Sequence, residues 1–370
     1  LAVGGRRALL GLWCVQGIGP QTLATLEASF SDLDVLLTAP IEEWAALIKL
    51  RAQARAALAR FKTLDAVAAD AEERLARAQI RVAFKTDPAY PRNLAELSDA
   101  PPMLFHWGLG DAATARRRLA MVGTRHPENG FNRWAHAFAQ HLALTGVGII
   151  SGAAEGVDQA CHHGALQARG ETWAFLGSGL DELDPSQAAL WPYVRDGNGT
   201  YFSEFPPGAR GDKSTFPRRN RLISGSADAV LVLRAGASSG ALYTANYALE
   251  QQRPLLALPG DPFNPAAAGS NALVRDGKAR LCVEVEDLTR VLGMGGLATA
   301  APAHSTPAGK LEDFSLNAQR AFSLLTKHSA DFDALYALWG AGSGELSSAL
   351  VELELAGWIV QRPGRRYEKI

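Results

Sequence analysis

The sequence predicts an α/β protein with a parallel sheet core, a small helical N-terminal domain and a C-terminal winged-helix domain. Between Leu119 and Leu258, six short apolar runs alternate with helical stretches. Most of these runs end in a small-residue turn: Gly123-Thr124-Arg125, Ser151-Gly152, Gly177-Ser178-Gly179 and Pro259-Gly260. On either side of this region the chain is helical in period and lacks such runs.

Residues 1–78 are rich in Ala and Leu. Within them, Val15-Gln16-Gly17-Ile18-Gly19-Pro20 precedes a helical pattern through Leu23, Leu26 and Phe30. The turn belongs either to a helix-hairpin-helix or SAM-like unit, whose amides hold a phosphate, or to a tight interhelical connection needing glycine for positive φ. No Lys or Arg lies between Leu9 and Lys49, so a strong polyanion contact is not expected there.

Residues 79–290 carry the alternation. Tyr90–Leu94 and Asp99–Phe105 read as an extended lead-in. The apolar runs are Leu119–Val122, Val147–Ile150, Thr172–Leu176, Thr200–Ser203, Ala229–Leu233 and Pro254–Leu258. Between the first two, Phe131, Trp134, Ala135, Phe138 and Leu142 recur at helical spacing. In a parallel sheet with helices on both faces, ligands bind beyond the carboxyl ends of the strands, where these turns fall.

Residues 291–310, rich in Gly, Ala and Pro, read as a flexible linker. Residues 311–370 hold three helical stretches, Ser315–His328, Phe332–Trp339 and Gly344–Ala356, before a short basic hairpin. The third stretch carries Glu345, Glu352 and Glu354 and no Lys or Arg, so a DNA duplex would repel it. A protein-contact module is expected, with weaker DNA contact through Arg362, Arg365, Arg366 and Lys369 of the wing.

A net charge of −1 with 20% charged residues excludes a global field for nucleic acid, so any polyanion site is a local patch. The three cysteines, Cys14, Cys161 and Cys282, are far apart and without metal spacing, as expected for buried thiols in a reducing cytoplasm. No run approaches a membrane span, and no signal peptide is visible. Asp158, Cys161, His162 and His163 suggest a metal at first sight. Only Asp158 and His162 share a helix face, which favours a structural Asp–His contact. Neither a dinucleotide-binding glycine motif nor a P-loop is present, so no cofactor is expected.

The local patch is Phe216-Pro217-Arg218-Arg219-Asn220-Arg221, with no acid between Lys213 and Ala227. Pro217 suits a helix's first turn, where arginines conflict with the macrodipole unless an anion is bound. Gly123, Thr124 and Arg125 follow the first core strand. Ser151 and Gly152 follow the second, and small residues there let backbone amides approach a ligand. Cations that track phosphates, plus an aromatic ring for stacking, describe a single-strand site. Tyr201 and Phe205 are further stacking candidates, although Tyr201 in a strand suits the core better.

In order and spacing these motifs resemble the DNA-processing protein A (DprA/Smf) family. Those that carry the resemblance are Tyr90-Pro91, Gly123-Thr124-Arg125, Ser151-Gly152-Ala153-Ala154-Glu155-Gly156-Val157-Asp158, Phe216-Pro217-Arg218-Arg219-Asn220-Arg221, Ser239-Gly240, Pro259-Gly260 and Gly269-Ser270-Asn271-Ala272-Leu273. The resemblance implies a Rossmann-like domain that binds single-stranded DNA without base specificity. It further implies loading of RecA recombinase in natural transformation, a homodimer through this domain, and no catalysis. It places Arg125 and Lys213 on phosphate and Phe216 against a base. The sequence departs from the family pattern at Ala153, Arg234, Asp181–Pro185 and Lys278.

Two other functions compete. A nucleotide hydrolase of the lysine-decarboxylase-like group would need a Pro-Gly-Gly motif with a nearby catalytic Glu. Here Pro259-Gly260 is followed by Asp261-Pro262. A duplex-reading regulator would rest on the winged helix alone, against its acidic third helix.

Overall fold

The computed structural model describes residues 5–15, 17–46, 50, 52–108, 115, 117–128, 130–196, 198–294, 314–325, 330–355, 358–362 and 366–369. The chain divides into two compact units, Leu1–Leu297 and Ala298–Ile370.

The first unit is built on a nine-stranded sheet. Its strands are β1 (Arg81–Phe84), β2 (Met103–Gly108), β3 (Arg117–Gly123), β4 (Val147–Ser151), β5 (Thr172–Leu176), β6 (Gly199–Ser203), β7 (Ala229–Arg234), β8 (Leu255–Ala257) and β9 (Arg280–Leu281). They lie in the order β1-β2-β6-β5-β4-β3-β7-β8-β9. From β6 to β9 every neighbouring pair is parallel. β1 and β2 pair antiparallel to each other, and β2 pairs antiparallel to β6. The sheet is therefore mixed, where a parallel one was expected. The stretch read as a lead-in contains the short helix Arg92–Ala95 and the start of β2, which lies between β1 and β6.

The parallel strands are continuous apolar runs because both faces are covered. Successive side chains of β3 alternate between two cores. Leu119 and Met121 pack with Ala135, Ala139 and Leu142 of helix Phe131–Leu144. Ala120 and Val122 pack with Leu222 of helix Thr215–Ser226 and Ala245 of helix Ala241–Glu250. The helices that follow β3 and β7 thus lie on opposite faces, although the two strands are neighbours. A crevice opens at the carboxyl edge between two such strands.

The N-terminal helices include Arg6–Cys14, Pro20–Ser29 and Leu64–Arg77. The last is capped by the Thr63 hydroxyl, which accepts from the Ala66 amide at 3.3 Å. Leu9, Leu12, Leu26 and Trp44 share one core with Phe105, Leu176 and Tyr201 of the sheet. Packing runs across residue 79, which marks only the change from helix to strand. Gly17 takes a positive φ of 98° between the first two helices, the conformation that the interhelical-turn reading requires.

In the second unit, helices Leu316–Leu324, Phe332–Trp339 and Ser343–Leu355 accompany β10 (Ala330–Asp331), β11 (Ile359–Arg362) and β12 (Arg366–Lys369). These strands order as β10-β12-β11, around a core of Trp339, Leu346, Leu350 and Tyr367. Ser315 and Asp331 cap the first two helices. The Glu352 carboxylate accepts from the Ser315 amide and hydroxyl at 2.9 and 2.6 Å, so one acid of the third helix is hydrogen-bonded to the start of the first. Residues 295–310 of the expected linker lie outside the described residues, as does Arg365 of the wing. Among the described residues, no helix is long and apolar enough to cross a membrane.

Candidate functional site

The crevice between the ends of β3 and β7 holds a cleft of about 490 Å³. Gly123, Thr124 and Arg125 form one wall, and Ser239, Gly240 and Tyr243 the facing one. Lys213, Phe216 and Asn220 contribute from helix Thr215–Ser226 and its lead-in. The edge bends where register shifts between Val122 and Gly123, and the Thr124 amide donates to the Arg234 carbonyl at 2.8 Å. Gly156 packs its α-carbon against the Thr124 and Arg125 carbonyls at φ +87°. A methyl group there would sit 2.5 Å from the Arg125 oxygen, so glycine is what lets the loop after β4 brace Arg125.

Arg125 and Lys213 are exposed, and neither makes a hydrogen bond or ion pair among the described residues. The Arg125 guanidinium carbon stands 5.5 Å from the centre of the Phe216 ring, within cation–π range. Phe216 is half-buried, with its ring seated over Gly177 and Gly211. A side chain at Gly177 would come within 2.8 Å of that ring. A second cleft of about 320 Å³ lies beside the first, and Arg125, Phe216 and Arg219 line both.

Of the remaining sequence candidates, Arg218 is exposed, whereas Ser151, Gly152, Arg219 and Arg221 are buried. Arg219 is 4% exposed, and its Nη1 donates to the carbonyls of Gly152, at 2.7 Å, and of Phe175. Burial pushes it down to about 10; Asp158 counteracts this, and Arg125 adds to it. The Arg221 Nη2 donates to the Glu204 carboxylate at 2.5 Å, and its Nη1 donates to the Asp99 carbonyl at 2.9 Å. Arg218 reaches the same Glu204 oxygen at 3.1 Å. The Glu204 side chain is wholly buried, so these two guanidinium groups neutralise it. The Ser151 hydroxyl donates to the Met121 carbonyl at 2.6 Å, away from solvent. Gly152 is buried beneath Arg219.

Sequence reasoning missed Asp212 and Glu204. Asp212 Oδ1 accepts from the Ser214 hydroxyl and from the Ser214 and Thr215 amides, which holds its carboxyl below the usual range. This carboxylate meets the start of helix Thr215–Ser226, so the chain itself supplies an anion there. An acid three residues before a helical Thr was a readable capping signal. Glu204 had none, because its arginines lie 14 and 17 positions away.

The expected Asp158–His162 contact is replaced by separate partners. Asp158 accepts from the Gly152 amide at 3.1 Å, while burial pushes its carboxyl up. The His162 Nδ1 lies 2.8 Å from the Thr172 hydroxyl, and its Nε2 accepts from the Ala153 amide at 3.3 Å. Burial lowers this imidazole to about 3. Among the described residues, no group of three His, Cys, Asp or Glu side chains could hold a metal. Tyr201 is core, its hydroxyl donating to the Gln187 carbonyl at 2.9 Å.

Fold and cleft define an α/β protein with a cation-lined crevice at the carboxyl edge of its sheet, joined to a winged-helix unit. The family model of DNA recombination-mediator protein A matches residues 81–293, and that of the DprA winged helix domain matches 300–365. The chain belongs to the DprA/Smf family of DNA processing proteins. It is 37% identical to protein Smf of Escherichia coli, over 74% of each chain. It is 32% identical to protein Smf of Synechocystis, over 76% of this chain and 78% of the relative. Among solved structures, DNA processing protein A of Streptococcus pneumoniae superposes with a TM-score of 0.62 at 27% identity, covering 76% of this chain and 95% of that one. The Helicobacter pylori protein, whose structure is described for its single-stranded DNA binding mode, gives 0.52 at 26% identity, over 58% of this chain and 96% of that one.

Proposed function

We propose that the chain binds single-stranded DNA across the Arg125–Phe216 ridge, with Arg125 and Lys213 on phosphates and the Phe216 ring against a base. The observation that carries this reading is a convergence. Residues 88 and 91 positions apart supply two unpaired cations and one aromatic ring to a single cleft. Phosphate contacts of this kind carry no sequence information, and stacking tolerates every base. Buried Arg219 and Arg221 act on this reading as scaffold for the ridge and not as ligands.

The family membership supports a role in natural transformation or recombination, in which the bound strand is handed to RecA recombinase in the cytoplasm. It also supports a homodimer formed through the sheet domain, and a binding rather than catalytic function. The seven parallel strands with helices on both faces suit a Rossmann-like description. The winged-helix unit, with Glu345 exposed on its third helix, suits a protein contact.

A gel shift with matched single-stranded and duplex oligomers at two salt concentrations tests the reading. Tighter binding of the single strand, weakening with salt, is the expected result. Equal or tighter duplex binding would overturn it.

A further inference from the structure

Helix Ala241–Glu250 turns Ala241, Ala245 and Ala248 onto the sheet, at positions i, i+4 and i+7. At about 100° per residue, Tyr243 lies roughly 200° round from Ala241, on the side away from the sheet. It stands in the first turn of that helix and lines the larger cleft opposite Gly123, Thr124 and Arg125.

Tyr243 is 53% exposed, and neither its ring nor its hydroxyl has a partner among the described residues. Other exposed rings are already engaged. Trp134 stacks on Phe138 with ring centres 4.8 Å apart, Tyr193 meets His163 edge-on at 5.0 Å, and Tyr336 lies over Phe332 at 6.3 Å. Phe263 is exposed too, but it does not line this cleft. Beside Tyr243 the approach is open, since a methyl group at Gly240 would meet no atom within 4 Å. The wall from Ser239 to Thr244 carries no charged side chain. Among the described residues, the one acid lining the cleft is Asp158, buried and hydrogen-bonded to the Gly152 amide. A bare ring thus shares a cleft with the two exposed cations, Arg125 and Lys213.

We infer that Tyr243 is a second stacking platform, for a further base of the strand whose other base packs on Phe216. The inference rests on the single-strand reading above. It adds no base preference, because every base offers a π-face. With phosphates on Arg125 and Lys213, the strand turns one base to the Phe216 side of the cleft and another to the Tyr243 side. Tyr243 extends the site from the ridge to helix Ala241–Glu250, and an oligomer that reaches both rings gains from both.

The full-length protein, Tyr243→Ala and Tyr243→Phe are to be titrated with deoxythymidine, deoxycytidine and deoxyadenosine homo-oligomers of equal length by fluorescence anisotropy. Tyr243→Ala should weaken binding of all three at least about fivefold, the low end of base–aromatic stacking, without changing the salt slope. Tyr243→Phe keeps the ring and should stay within about twofold of the parent. Because the side chain is exposed, Tyr243→Ala should melt with the parent. Irradiating the parent on an oligomer that carries 5-iododeoxyuridine should give an adduct at Tyr243, which a purely structural role would not produce and which needs no variant. Parental affinity in Tyr243→Ala, a loss confined to one base, an equal loss in Tyr243→Phe, or adducts only at other residues would overturn the second platform. With Arg125→Ala still weakened, the single-strand function would then stand. If the parent binds none of the oligomers, both readings fall together.

Discussion

At the rim of the cleft, Arg125 and Lys213 are exposed and make no hydrogen bond or ion pair among the described residues. In the wall beneath, Arg219 and Arg221 are buried and hydrogen-bonded to carbonyls and a carboxylate. Charge type is the same in both regions, and environment separates their roles. A guanidinium whose donors are already met inside the protein has little left to offer a ligand, whereas an exposed, unpaired cation can exchange counterions for phosphate.

The sharpest way to break this comparison is stability. Arg221→Ala leaves the buried Glu204 carboxylate with one arginine, and should cost about 3–5 kcal/mol in denaturant unfolding. Arg125→Ala should stay within about 0.5 kcal/mol of the parent in the same measurement. Similar losses for the two would erase the distinction between wall and rim.

Phe216 belongs partly to each region. Phe216→Ala should weaken single-strand binding by about 1–3 kcal/mol while leaving its salt dependence unchanged, because stacking carries no charge. Since the ring is also seated over Gly177 and Gly211, the variant should lose about 1 kcal/mol of stability. Salt titrations and melting curves on one preparation separate the two effects.

The rim itself is probed by combining Arg125→Ala with Lys213→Ala. Two lost phosphate contacts should flatten the log–log salt slope by roughly 1.4. A parental slope would place the phosphate contacts elsewhere.

The interior has its own signature in pH. His162 is lowered to about 3 in the folded state, so the unfolded chain binds an extra proton from near pH 6.5 down to that value. Stability therefore falls as pH drops through this window, by up to about 1.4 kcal/mol per pH unit from this one group. His162→Gln should remove that share of the slope, read from urea midpoints at several pH values. The smallest effect expected is that of ending the chain at Leu297. Every cleft residue lies in the first unit, so single-strand affinity should change by less than about twofold, or roughly 0.4 kcal/mol.

Much of this was readable in the residues. The apolar runs from Leu119 to Leu258 announced the parallel strands because both faces are buried, and their small-residue ends announced the crevice. β1 was not readable, since Arg81–Phe84 is short and buries fully only Ala83. β2 was read only as extended lead-in through Phe105, because the Pro-Pro pair before it offers no ladder donor. Of the candidate residues, Gly123, Thr124, Arg125, Lys213, Phe216 and Asn220 line the cleft together, whereas Arg218 and Arg221 turn to Glu204. A run of arginines gives charge but not depth, and depth here is set by an acid at the end of another strand.

The indole of Trp13 donates to the Glu204 carbonyl at 2.8 Å, across 191 positions of chain. Its helix shares a core with Phe105, Leu176 and Tyr201 as well. During synthesis, the first helices emerge long before the strand that completes their packing exists. At roughly 5–20 residues per second, Glu204 follows Trp13 by about 10–40 s. The Trp13 indole thus waits that long for its acceptor, and its helix for the part of its core that the strands supply.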